Sequence, residues 1–97
     1  NVSCVDLKFL TDKPATVEEI NKAIKEAAHG NLKGILGYDE NSLVSIDFNH
    51  SSESSTFAAQ QTKVLPSGMS RILSWYDNEW GFSNRMADTA VAMGALL

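Results

Sequence analysis

The sequence has 97 residues, with 8 Lys+Arg against 12 Asp+Glu and a formal charge of −4. At 43% hydrophobic and 21% charged residues it has the composition of one small globular domain, not of a disordered segment. The acidic balance, with Arg71 and Arg85 as the only arginines, excludes the electrostatic footprint of a nucleic-acid binder. No apolar run approaches the roughly 18 residues of a membrane span. The one cysteine, Cys4, makes no internal disulfide, so nothing points to an oxidising compartment. The chain opens Asn1-Val2-Ser3-Cys4-Val5, without Met and directly in a strand-like pattern. Since natural domains usually begin with a few loose residues, it reads as a piece of something longer.

Residues 2–12 read as the first strand, with Val5, Leu7 and Phe9 on one face and Asp6 and Lys8 on the other. Thr11-Asp12-Lys13-Pro14 stops it, because Pro lacks a ladder donor and restricts the residue before it. Residues 16–29 form the clearest helix. Thr16 and Glu19 make a capping box, and Glu18 and Glu19 in the first turn suit the helix dipole. Val17, Ile20, Ile24, Ala27 and Ala28 give one apolar stripe. His29-Gly30 ends the helix, Gly as the usual C-cap and His against the last carbonyls. Leu32–Tyr38 reads as a short strand broken by Gly34 and Gly37, and Asp39-Glu40-Asn41-Ser42 as a turn. Leu43–Phe48 is strand-like, Asn49–Ser55 a polar surface loop, and Ser55–Val64 a weaker strand. Pro66-Ser67-Gly68 is a tight turn. Met69–Tyr76 is apolar on both faces, as a central strand covered on both sides would be. Residues 80–97 read as a last helix, apolar nearly all round apart from Asn84, Arg85 and Asp88, hence buried or packed on a partner.

The order β, α, β, β, (β), β, α gives an α+β fold: a mixed or antiparallel sheet with two helices. Little in it carries chemistry. Cys4 lies mid-strand with no helix N-terminus or adjacent base to activate it, so it reads as a small buried hydrophobe. His29 reads as helix-end decoration and His50 as a solvated loop residue. Metal-ligand spacings such as CxxC or HExxH are absent, and His50 with Glu53 or Asp47 makes only a weak trio. The glycines match neither GxGxxG nor GxxxxGKS, so the chain holds no complete dinucleotide-binding unit. Asn1-Val2-Ser3 and Asn49-His50-Ser51 match the glycosylation sequon as chance would allow.

Ser74 to Asn84 is the unusual stretch: aromatics, two acids and two amides around a switch from strand to helix. In open α/β sheets, ligands sit outside the carboxyl ends of strands. A primary amide offers a donor and an acceptor together, and can pair with another carboxamide such as that of nicotinamide. The plainer reading has Asp77 or Asn78 capping the helix and the aromatics in the core.

At Trp75-Tyr76-Asp77-Asn78-Glu79-Trp80-Gly81-Phe82-Ser83-Asn84-Arg85 the sequence resembles the C-terminal signature of phosphorylating glyceraldehyde-3-phosphate dehydrogenase, bacterial type. Val2-Ser3-Cys4-Val5-Asp6-Leu7, Lys13-Pro14-Ala15-Thr16, Leu32-Lys33-Gly34-Ile35-Leu36-Gly37-Tyr38 and Val44-Ser45-Ile46-Asp47-Phe48-Asn49 are similar to family segments, so the resemblance covers essentially the whole chain. It implies residues 1–97 of a C-terminal catalytic-domain portion, in a cytoplasmic, homotetrameric, glycolytic enzyme. That enzyme uses NAD and inorganic phosphate to convert glyceraldehyde 3-phosphate into 1,3-bisphosphoglycerate, through a nucleophilic cysteine assisted by a histidine. The same resemblance places the nucleotide-binding half, the nucleophile segment and the catalytic His before Asn1, so it implies no catalytic residue in this chain, and Cys4 is not the nucleophile. Asn78 matches the asparagine that holds the nicotinamide carboxamide. Phe82 stands where many members have a Tyr beside the nicotinamide ring, keeping the ring contact without the hydroxyl. The last helix would pack back against the cofactor domain.

Two further readings stand beside this one. Erythrose-4-phosphate dehydrogenase shares Asp47-Phe48-Asn49-His50 and Asp77-Asn78-Glu79-Trp80-Gly81-Phe82. A non-catalytic chain that only folds or self-associates through open sheet edges and the last helix is the other.

Overall fold

The computed structural model describes residues 1–97. Strands β1 (Val2–Phe9), β2 (Leu36–Asp39), β3 (Ser55–Ala58), β4 (Lys63–Val64) and β5 (Ser70–Asp77) form one mixed sheet, with helices α1 (Val17–His29) and α2 (Trp80–Gly94). The spatial order is β1-β5-β3-β2, with β4 also on β5. β5 is antiparallel to β1, β3 and β4, whereas β2 and β3 run parallel. The expected α+β architecture is therefore the observed one.

Helix α1 begins at the expected cap, with one of the two capping-box bonds formed. The Glu19 N–H donates to Thr16 Oγ1 at 3.1 Å, and His29 Nδ1 lies 2.9 Å from the Lys25 carbonyl at the other end. Its polar residue Asn21 anchors it to the chain after β3. Asn21 Nδ2 donates to the Ala59 carbonyl (3.1 Å) and Thr62 Oγ1 donates to Asn21 Oδ1 (2.7 Å). The core is small. Phe57, 2% exposed, stacks on Tyr38, and Phe48 stacks on Trp75, with Ala28, Ala58, Ala59 and Leu73 around them. The chain measures 51 × 31 × 19 Å with a radius of gyration of 15.0 Å, against about 13 Å for a compact domain of this length. The excess reflects a thin layered body from which apolar surface projects.

Several sequence expectations are corrected. Leu43–Phe48 is not a strand: Ser45–Phe48 is a 3-10 turn. Its alternation imitates a strand, but Asp47 Oδ2 accepts the Val44 N–H at 2.8 Å and the Asp47 N–H returns to the Val44 carbonyl at 3.0 Å. Such local bonds offer the backbone an alternative to a ladder, and they bury Phe48 while leaving Ile46 72% exposed. Of Leu32–Tyr38 only the end is strand. Leu32–Ile35 continue as turns, with Leu36 N–H on the Leu32 carbonyl and Gly34 at φ +81°. Ser55–Val64 splits into β3 and β4 around a 3-10 turn, Ala59–Gln61. The first strand ends at Phe9 rather than residue 12, and the last helix at Gly94 rather than residue 97.

Cys4 is exposed, not buried. It shares the β1 face of Asp6 and Lys8, and Arg71 on β5 forks across to Asp6 there (Nε–Oδ1 2.8 Å, Nη2–Oδ2 3.3 Å), with Lys8 Nζ on the same carboxylate at 2.9 Å. Charged heads keep that face in water. On the opposite face Val5 and Leu7 are each 47% exposed. Helix α2 is also largely open, with Phe82, Met86, Val91 and Met93 exposed and only Gly81 buried.

Candidate functional site

Strand β5 delivers Asp77 and Asn78 to the start of α2, and their roles divide sharply. Asp77 is 4% exposed. Its Oδ1 accepts the N–H groups of Glu79 (2.9 Å) and Trp80 (2.8 Å), and its Oδ2 accepts the N–H of His50 (2.9 Å). These backbone donors, that of Trp80 foremost, hold its carboxyl down to about 2. Asp77 thus does the capping work that the sequence left open between it and Asn78. Asn78 is exposed, and its carboxamide makes no hydrogen bond within the chain. Its N–H bonds the Asn1 carbonyl at 3.3 Å, closing the end of the β1–β5 ladder. The amide is therefore free on a pinned backbone.

Phe82, in the first turn of α2, is 66% exposed. It joins Ser54, Tyr76, Asp77, Asn78 and Arg85 around an open cavity of about 280 Å³. Both residues expected to face a cofactor thus meet at one concavity, at the carboxyl end of a strand. The expectation that the aromatics here are core fails for Trp80 and Phe82, which are exposed, while Trp75 is part-buried against Phe48.

Sequence reasoning missed the loop that supports this site. Asn49–Ser55 read as solvated surface, and His50 is indeed exposed, but the loop holds α2. His50 sits at φ +64° with its ring stacked on Trp80, centroids 5.3 Å apart. A Cβ on Gly81 would lie 2.6 Å from the Glu53 carbonyl oxygen, so only glycine permits this approach. Arg85 Nη1 donates to Ser54 Oγ at 3.1 Å, while its Nε bonds Asp88 at 2.9 Å. No periodicity signals such contacts; the arginine in an otherwise apolar helix was the one available cue. The His50, Glu53 and Asp47 trio does not assemble. His50 is on Trp80, Glu53 accepts from Ser51 Oγ, and Asp47 holds Val44. No three His, Cys, Asp or Glu side chains converge as metal ligands.

A free amide, an exposed ring and a pinned strand end thus meet at this open cavity. Residues 1–78 match the family profile described as glyceraldehyde 3-phosphate dehydrogenase, C-terminal domain. The chain belongs to that family. It is 64% identical over 97 residues to a glyceraldehyde-3-phosphate dehydrogenase of Cereibacter sphaeroides, and 62% identical over 96 residues to one of Xanthobacter flavus. These alignments cover 100% and 99% of this chain. A chromosomal glyceraldehyde-3-phosphate dehydrogenase of Cupriavidus necator is 59% identical over 93 residues. The chain spans 29% of the length of the first two relatives and 27% of the third.

Proposed function

We propose that these 97 residues serve a glyceraldehyde-3-phosphate dehydrogenase, contributing part of its catalytic-domain sheet and the wall against the nicotinamide of NAD. The reaction is the phosphorylating oxidation of glyceraldehyde 3-phosphate, with inorganic phosphate, to 1,3-bisphosphoglycerate. The observation that carries this reading is the unbonded Asn78 carboxamide beside exposed Phe82, on a backbone locked by Asp77. The cavity of about 280 Å³ lies below the ~300–1,000 Å³ of sites that engulf whole ligands. It therefore suits one end of a dinucleotide, the remainder being held by a nucleotide-binding domain elsewhere in the polypeptide.

NAD, when bound, supplies the hydride acceptor. Asn78 pairs donor and acceptor with the carboxamide and fixes the ring's rotation. Phe82 offers an apolar face and shields that side from water. The nucleophilic cysteine and its histidine partner belong to other segments, and Cys4, in the charged face of β1, has no part in the chemistry. The relatives' names favour glyceraldehyde 3-phosphate over erythrose 4-phosphate as substrate. The open apolar surfaces of β1 and α2 support burial against further protein, including other subunits of a homotetramer. No helix is long and apolar enough to cross a membrane.

The test is Asn78→Ala in the complete enzyme. Two neutral hydrogen bonds at about 1 kcal/mol each correspond to roughly a 30-fold loss in kcat/KM for NAD. The melting temperature stays put, because the amide supports nothing in the fold. Unchanged kinetics with NAD would sink the assignment.

A further inference from the structure

The loop from His50 to Ser54 touches α2 and the strand end before it at four places. The His50 N–H bonds Asp77, the His50 ring stacks on Trp80, the Glu53 carbonyl receives Gly81, and Ser54 Oγ accepts from Arg85. The loop is itself fixed to the sheet, since the Ser54 N–H donates to the Ile35 carbonyl at 2.8 Å just before β2. Ser54 and Arg85 line the same cavity as Asn78 and Phe82. The first three contacts hold the first turn of α2. The Arg85–Ser54 bond alone acts one turn further along, beyond Phe82.

We propose that Ser54 and Arg85 are positioning residues of the nicotinamide site: their hydrogen bond sets the tilt of α2's first two turns and thereby the spacing between Asn78 and Phe82. This rests on the assignment of Asn78 and Phe82 to the cofactor. Arg85 suits the role because its fork serves two partners at once, Nε on Asp88 of its own helix and Nη1 on Ser54 of the loop. The first bond holds the guanidinium against its own helix. The second transmits that placement to the sheet. Lysine, with one ammonium, cannot make both contacts in the same geometry. Loss of the tether leaves α2 anchored at Gly81 but free to swing beyond it, and small misplacements of a bound ring are costly to hydride transfer.

The experiment is a double-mutant cycle in the complete enzyme, with Ser54→Ala, Asn78→Ala and the pair. Arg85→Lys tests the other end of the tether, and Ser52→Ala, an exposed neighbour without hydrogen bonds, is the control. Ser54→Ala and Arg85→Lys are each expected to lower kcat/KM for NAD about tenfold, with the KM for glyceraldehyde 3-phosphate unchanged, a split that general loosening of the fold would not give. In the Asn78→Ala background, Ser54→Ala adds little, because a ring no longer held by the amide gains nothing from a set spacing between Asn78 and Phe82. Fully additive effects, or an unchanged kcat/KM for NAD in Ser54→Ala, would overturn the proposal. If Asn78→Ala itself leaves NAD binding unchanged, the assignment of the site fails instead, and the two failures are told apart.

Discussion

Gly81→Ala is the sharpest test of how α2 is seated. The new Cβ would stand 2.6 Å from the Glu53 carbonyl oxygen and 3.5 Å from its carbon. The obstacle is backbone, so no side chain can rotate out of the way. Overpacking of this kind costs about 1–3 kcal/mol. Against it stands the gain from a less flexible unfolded chain, about 0.4–1 kcal/mol where Ala fits the native backbone. The cost exceeds the gain, and the net expectation is a loss of about 1–2 kcal/mol. Gly94→Ala is the matched control. It lies in the same helix, nothing stands within 4 Å of its Cβ, and its φ is not positive, so only the gain remains. Denaturant midpoints of wild type and the two variants should therefore bracket the wild type, Gly81→Ala below and Gly94→Ala at or above it. Because the displaced helix carries Phe82, Gly81→Ala should also weaken NAD binding, while Gly94→Ala should not. A Gly81→Ala protein as stable as wild type would refute the argument, since it would mean that the loop yields freely to α2.

Acid should expose two carboxylates of different kinds. Asp6 and Asp77 are both lowered from 3.8 to about 2, Asp6 chiefly by the Arg71 hydrogen bond and then Lys8, Asp77 by backbone N–H groups. A depressed folded-state value contributes stability above the unfolded value and loses it as pH falls from about 4 through about 2. Denaturant midpoints measured against pH at low and high salt separate the two. Salt should shrink the exposed Asp6 share and leave that of Asp77, which Asp77→Asn should abolish. Cys4→Ser should leave turnover in the complete enzyme unchanged, and a steady-state assay on a normally folded variant that loses turnover would contradict its placement outside the chemistry.

The fold was legible where one local signal dominated. Thr16 with Glu19 fixed the start of α1, and β5 announced itself by apolar residues on both faces. It failed where local hydrogen bonds outweigh pattern, as at Asp47, whose carboxylate bends an alternating segment into a 3-10 turn. It failed again at Cys4, where the apolar thiol masked a register that sets it on the same face of β1 as Asp6 and Lys8. At the candidate site the signature pointed to Asn78 and Phe82, and the fold brings both to one cavity. The support from His50, Glu53 and Ser54 was not, since a polar loop carries no periodicity from which its neighbours can be inferred.

The Asp77-Asn78 pair shows why the plain and the functional readings of this stretch need not compete. An Asx residue before a helix is ordinarily explained by capping, and one such residue suffices. Asp77 takes three backbone N–H groups with its two oxygens, and the Asn78 side chain takes none. An exposed asparagine would by itself argue nothing. Asn78, however, is held on both sides, by the Asp77 network before it and by Gly81 wedged against Glu53 after it, so its backbone is fixed. A donor–acceptor pair on a fixed backbone beside an open aromatic ring is what the proposed recognition of a carboxamide would use. Capping by the acid is thus what leaves the amide free for the proposed contact.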